Sequence, residues 1–234
     1  MSRVLVTGGA GTIGGAVVRR LVRDPEWEVR VSDQRPAPGW MSEACEVHTG
    51  DLREASEAAR ATAGCTHVIH LAAIVGGIAN FHRLPHTLLE VNTGLYNSVF
   101  RAALAEGVER LVYVSSSMVF ERATEFPTTE EHLLDCPTPR SAYGFSKLAG
   151  EVYCRALHDE HGVPFTICRP FNAYGPGAPS APSPGTAARS RARATPPAAC
   201  PARWSAPRRR RSPCAGRRPP SGPGPRSRRV GSRG

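Results

Sequence analysis

Apolar residues fall into two alternating patterns over the first 170 positions of this 234-residue chain. Short runs dense in Val, Ile and Leu occur at 3–7 (RVLVT), 28–33 (EVRVSD), 46–51 (EVHTGD), 67–72 (HVIHLA), 110–116 (RLVYVSS) and 164–169 (PFTICR). Each reads as a strand bounded by turn residues. Between them, apolar positions recur at helical spacing. Ile13, Val17, Val18, Leu21 and Val22 mark the first helix, which Asp24-Pro25 closes; others are predicted over 54–63, 87–105 and 141–161. Strands alternating with helices at this interval predict an α/β fold: a Rossmann-type, doubly wound parallel sheet with strand order 3-2-1-4-5-6.

Composition divides the chain. Residues 178–234 contain 14 Arg and no Lys, Asp or Glu, whereas the preceding part holds 16 basic and 20 acidic residues. The net charge of +10 therefore belongs to the tail and implies no nucleic-acid role for the folded part. Of the tail's 57 residues, 51 are Arg, Pro, Ala, Ser or Gly. Such text buries too little apolar surface to offset chain entropy, so disorder is predicted there. Trp204 is its only aromatic residue, so stacking on single strands is hardly available and nucleic-acid contact is not expected.

The seven Cys form no CxxC pair and no zinc spacing, and Cys168 in FTIC is expected to be a small buried thiol. Reduced thiols, no signal peptide and no membrane-length apolar run predict a cytoplasmic, soluble protein without a bound metal.

Residues 7–15 read TGGAGTIGG, with Gly8, Gly11 and Gly14 in the TGxxGxxG spacing. A glycine pattern alone is weak, since turns collect glycine for steric reasons. This one follows a strand, opens a helix, and has an acidic residue at the end of the next strand, which is the dinucleotide context. The helix N-terminus, with the N–H groups of Thr12 and Ile13, would stabilise the pyrophosphate. Asp33, 19 residues beyond Gly14, would accept hydrogen bonds from the adenosine ribose and repel a 2′-phosphate, favouring NAD over NADP. Arg35 weakens that preference. Asp51 and Leu52 are expected at the adenine edge. Leu71, Ala72 and Ala73 are expected where backbone comes close to the cofactor. Singly, these are as readily turn and core residues; their places at successive strand ends argue otherwise.

Tyr143 and Lys147 lie four apart in the predicted 141–161 helix, on one face. A phenol, with a pKa of about 10, is a poor base at neutral pH. A neighbouring ammonium and the positive nicotinamide ring would lower that value.

With TGGAGTIGG, Asp33, GDL at 50–52, HLAA at 70–73, VNTG at 91–94, SSSMVF at 115–120, YGFSK at 143–147 and RPFNAYGPG at 169–177, residues 3–177 resemble the extended short-chain dehydrogenase/reductases, the NAD-dependent epimerase/dehydratase family acting on nucleotide sugars. The resemblance implies that Ser116, matched through Val119, hydrogen-bonds the sugar hydroxyl being oxidised. Tyr143 is implied as acid/base, with Lys147 holding the nicotinamide ribose. It implies a supporting role for Asn92, cofactor contact by Pro170, and contact of Asn172 with the substrate diphosphate. Phe120 and Glu121 depart from the family's Tyr-Gly. Helices like 87–105 and 141–161 pair into a homodimer in this family.

The implied first step removes the C4 hydroxyl proton and passes hydride to NAD, giving a 4-keto sugar. Family dehydratases carry an Asp-Glu pair after the catalytic hydroxyl, and decarboxylases a Glu. Ser117 and Met118 stand here, and neither is a general acid at neutral pH. The simplest remaining reaction is 4-epimerisation. The segment 74–78 (IVGGI) resembles the Gly-Gly of GDP-sugar 3,5-epimerases and fucose synthases, but their Cys beside the catalytic Ser is replaced by Ser117.

Two further readings stand beside the enzyme: a domain that binds NAD without turnover, and a scaffold whose tail holds a polyanion. Residues 1–177 form the expected NAD-binding domain, and 178–234 stand where the family has its substrate domain. The tail's abundant residues all have GC-rich codons, so a frame shift near residue 178 is expected.

Overall fold

The structure is a computed structural model, which describes residues 1–75 and 83–175. The expected tail at 178–234 and the Gly-Gly of 74–78 lie outside the described residues. Six parallel strands, β1 (Ser2–Thr7), β2 (Trp27–Asp33), β3 (Glu46–Thr49), β4 (His67–His70), β5 (Arg110–Val114) and β6 (Phe165–Cys168), form one sheet in the order β3-β2-β1-β4-β5-β6. This is the predicted doubly wound order, with its crossover beside β1.

The central strand explains why the sequence folds this way. Val4, Leu5 and Val6 are consecutive and almost wholly buried, as a strand covered on both faces requires. Val4 and Val6 pack with Val18, Val29, Val31 and Met41 on one face. Leu5 packs on the other with Val68, Leu95, Val99 and Leu111. Each such side chain contributes roughly 1.5–3 kcal/mol on burial, so the sheet is anchored at the strand that leads into the glycine turn.

Helix α1 (Thr12–Leu21) covers the first face. Helices α3 (Ala55–Thr62), α4 (Pro85–Glu106) and α5 (Ala142–His161) supply the second core. Both long helices stop at a glycine in the left-handed region, Gly107 and Gly162, the usual way to satisfy terminal carbonyls. The short helix α2 (Gly39–Ala44) was not predicted, because six residues carry too little periodicity to read.

Cys168 corrects a prediction: it is exposed, not buried. β6 pairs with β5 and has no second neighbour among the described residues, and Thr166 and Cys168 lie on its exposed face.

Gly8 and Gly14 owe their identity to this packing. Gly8 has φ +69° and lies so close to β4's exit that a Cβ would sit 2.9 Å from Ala72 N. A Cβ on Gly14 would meet Gly9 Cα at 2.7 Å and collide with the Gly8 carbonyl oxygen. At Gly15, one residue on, the nearest atom would be 3.7 Å away. Gly14→Ala should therefore lose about 1–3 kcal/mol in urea unfolding through overpacking. Gly15→Ala should gain about 0.5–1 kcal/mol from helix propensity. Equal effects would contradict the packing of the turn.

Candidate active site

The predicted site residues gather at the carboxyl ends of β1, β2, β4 and β5, where doubly wound sheets take ligands. Thr7 closes the first join. Its Oγ1 accepts from the N–H groups of Leu71 and Ala72, both at 3.1 Å, and lies 2.9 Å from His70 Nδ1. With two donors aimed at it, the hydroxyl gives its proton to the ring, which fixes the His70 proton on Nε2. Burial and, secondarily, the Lys147 charge pull His70 down to about 3, so it is a neutral structural group. The backbone of 71–72 is thereby pressed against Gly8.

The turn fits a dinucleotide. Gly11 caps α1 without a side-chain bond, Gly14 is buried, and Ile13 is partly exposed over the helix start. Any Cβ at Gly8 or Gly14 would fill the cradle. Asp33 is tied to the turn by Ala10 N at 3.0 Å. Burial pushes its carboxyl up, but hydrogen bonds from Arg35 and Ala10 outweigh this and hold it below the ordinary range. Asp51 pairs with Arg53, whose hydrogen bonds bring it down to about 2. Leu52 differs from expectation: its side chain is buried in the core, leaving its backbone as its share of any adenine contact.

The predicted catalytic residues converge. Ser116 lies just past β5; its Oγ accepts from Met118 N at 3.2 Å and opens a 3-10 turn over Ser117–Phe120. Tyr143 and Lys147 occupy one face of α5 and are buried with Ser116. Lys147 Nζ donates to Val114 O at 2.9 Å and lies over the Tyr113 ring, 5.3 Å from its centre.

The electrostatics differ from the expectation of a lowered phenol. Burial raises Tyr143, opposed by the neighbouring Ser116 side chain. Burial also lowers Lys147 to about 8. Desolvation disfavours the charged form of each, the phenolate and the ammonium alike.

Asn92 is buried between two of these elements. Its Oδ1 accepts from Ile74 N at 2.8 Å and its Nδ2 donates to Ser146 Oγ at 3.3 Å, tying the exit of β4 to α5. Pro170 O accepts from Ser117 N at 3.1 Å, beside Ser116. Asn172 is exposed, with φ 45°, outside the buried set. A left-handed backbone is one Asn tolerates well.

Two positioning groups were not read as such from the sequence. Glu151, fully buried one turn past Lys147, accepts from Ser115 Oγ at 2.7 Å and takes a two-pronged pair from Arg169, both contacts at 2.8 Å. Its position eight residues after Tyr143, on the same helix face, was the available signal. Glu121 accepts from both Ser141 N and Ser141 Oγ at 3.0 Å, while Ser141 Oγ caps α5 through Gly144 N. The residue that departs from the expected Tyr-Gly thus fixes the start of the helix carrying Tyr143. Phe120, the other departure, stacks on Phe171.

Comparison with known proteins agrees with this geometry. Residues 4–195 match the model of the "NAD dependent epimerase/dehydratase family", a match that runs past the expected boundary at 177. GDP-mannose 3,5-epimerase of Arabidopsis thaliana is 28% identical over 179 residues, covering 74% of this chain and 48% of the relative. The structure is similar to UDP-glucose 4-epimerase of Thermus thermophilus in complex with NAD, with TM-score 0.64, 31% identity, and coverage of 71% and 54% of the two chains. It is also similar to DesIV, a dTDP-glucose 4,6-dehydratase from Streptomyces venezuelae with NAD bound, with TM-score 0.66, 30% identity and coverage of 74% and 57%. The chain spans about half the length of the curated relatives it matches. No helix among the described residues is long and apolar enough to cross a membrane.

The Lys147 shift has a thermodynamic consequence. Its folded pKa, about 8, lies below its ordinary 10.5. As pH rises from 8 towards 10.5, the native state has shed a proton that the unfolded chain keeps, so this group's contribution stabilises progressively. Buried thiols such as Cys154 have the opposite slope, but they cancel in a comparison of variants. The stability difference between wild type and Lys147→Met should therefore move in favour of wild type between about pH 7 and pH 10, read by urea unfolding. A difference independent of pH would contradict desolvation of the ammonium.

Proposed function

Because the chain belongs to the NAD-dependent epimerase/dehydratase family, we propose that it oxidises and re-reduces a sugar carbon of a nucleoside-diphosphate sugar, with 4-epimerisation as the net reaction. In this reading, residues 1–177 hold NAD and the catalytic groups, and 178–234 stand in place of the family's substrate domain. NAD, when bound, accepts hydride from the sugar carbon and returns it. Gly8, Gly11 and Gly14, with the N–H groups of Thr12 and Ile13, would hold its pyrophosphate; Asp33 and Asp51 would hold the adenosine.

The observation that carries the proposal is the convergence of buried Ser116, at the end of β5, with Tyr143 and Lys147 one turn apart on the face of α5. Ser116 would orient the sugar hydroxyl, and Tyr143 would take and later return its proton. A phenol raised by burial cannot do this unaided; the positive nicotinamide ring, with the Lys147 ammonium, would supply the compensating field. Lys147 is the only lysine in the chain, against 29 arginines. An arginine there would present a planar fork in place of a compact point charge.

Epimerisation is favoured over dehydration because Ser117 and Met118 offer no general acid at neutral pH. The same two residues disfavour a 3,5-epimerase, which must exchange carbon-bound protons. A second reading, NAD binding without turnover, is favoured by one fact: burial raises the Tyr143 phenol away from the phenolate form that proton abstraction needs.

Turnover of a panel of UDP-, GDP- and dTDP-sugars with NAD separates these. Wild type should convert at least one sugar to its 4-epimer, and Tyr143→Phe should lower the rate about 100-fold or more. A loss of only a few-fold removes Tyr143 as the acid/base, and NAD binding with no conversion supports the second reading.

A further inference from the structure

Tyr113 belongs to none of the motifs that point to the site, yet it meets Lys147 at both ends. Its hydroxyl donates to Lys147 O at 3.4 Å, while Lys147 Nζ lies over its ring, 5.3 Å from the centre. The ring has no room to move aside. It is buried edge-on against Phe100 at 5.6 Å and Tyr96 at 6.5 Å, with His70 stacked beside it at 6.1 Å. Gly150 closes a further side: a Cβ there would collide with Tyr113 Oη and Cζ. This packing requires a glycine in the middle of α5, where glycine is otherwise unfavourable.

The groups around Lys147 give its charge little support. Nζ donates to Val114 O, one of its three donor positions. His70 from β4 and Tyr143 from the preceding turn of α5 are neutral. From α4 comes the neutral amide of Asn92, bonded to Ser146 beside the lysine. Glu151, one turn on, is taken by Ser115, Arg155 and Arg169. Burial pushes the Tyr113 phenol up, so it offers no phenolate. It offers the face of its ring, whose negative quadrupole attracts a cation within about 6 Å of the centre.

We infer that Tyr113 is a positioning residue for Lys147: its ring is the seat that keeps the buried amine charged, and its hydroxyl ties that seat to the helix turn from which the lysine projects. The inference deepens the reading of Lys147 as the ammonium that works beside Tyr143, and rests on it. Desolvation opposes the charge and the ring opposes desolvation. Without the ring the amine gives up its proton at a lower pH, and Tyr143 loses the positive neighbour on its own helix. Ring and hydroxyl act on different things. The ring acts on Nζ; the hydroxyl, in a long bond to a helix carbonyl, acts on the register of β5 against α5.

The test compares the full chain, labelled with 13C at the lysine Cε, as wild type, Tyr113→Phe, Tyr113→Leu and Tyr113→Met. Two readouts come from one NMR signal: the shift of the attached protons, which an aromatic ring beneath them moves upfield, and the pH at which the signal titrates. Tyr113→Phe keeps the ring, so it should keep the upfield protons and hold the Lys147 proton within about twofold of wild type. Tyr113→Leu should lose the upfield shift and titrate at lower pH, its proton held about three- to tenfold less tightly, the range of a cation–π contact. Tyr113→Met fills the space of the ring with a flexible chain and should match the leucine variant; it carries the test where leucine leaves a cavity that prevents folding. If the leucine or methionine variant titrates at or above the wild-type pH, or if the phenylalanine variant titrates with them, the inference is overturned. If the expected order holds but wild type converts no nucleotide sugar, the reading of the reaction fails and the seat under Lys147 stands.

Discussion

Burying an ammonium group away from water costs several kcal/mol unless charge and hydrogen bonds compensate, and this chain does so with its only lysine. Lys147 is 4% exposed, donates to Val114 O, and lies over the Tyr113 ring. Everything around it follows from that placement. The sheet's second core, rich in aromatic residues, holds Tyr113 in position. Neutral His70 stacks on the same ring, and its low pKa keeps a second positive charge out of the pocket. Elsewhere in the chain every cationic side chain other than histidine is an arginine.

The pocket is braced by charges that never touch it. Glu151 joins α5 to the end of β6 through Arg169 and to the end of β5 through Ser115. Removing one partner of such a buried pair leaves an uncompensated charge and is strongly destabilising. The cluster therefore locks three segments in register: the one carrying Ser116, the one carrying Pro170, and the helix carrying Tyr143 and Lys147. Glu121 does the same at the start of α5 through Ser141. The placement of Ser116, Tyr143 and Lys147 is over-determined from two sides.

Much of this was legible in the sequence, for a physical reason in each case. Strand order followed from strands and helices alternating at the interval of a doubly wound sheet. The glycine turn was readable because its position after a strand and before a helix leaves few alternatives. Tyr143 and Lys147 were readable because helical spacing places them together in the helix that follows the fifth strand of a dinucleotide fold. What escaped depends on which residues meet in space. The exposure of Cys168 follows from the face of β6 on which it lies, and the inward turn of Leu52 from how α3 and α4 pack. Glu121 was visible only as a departure from a pattern; its bond to Ser141, 20 residues away, needed the fold. The field at Tyr143 differs from expectation because spacing reveals the charge nearby but not the water excluded from around it.

The central claim is that the ammonium of Lys147 is desolvated beside Tyr143. With a single lysine in the chain, growth on lysine carrying 13C at Cε yields one side-chain resonance, which can be followed by NMR through a pH titration. An inflection near pH 8, the value to which burial brings this group, is the predicted result. An inflection at the ordinary lysine value of about 10.4 would contradict it.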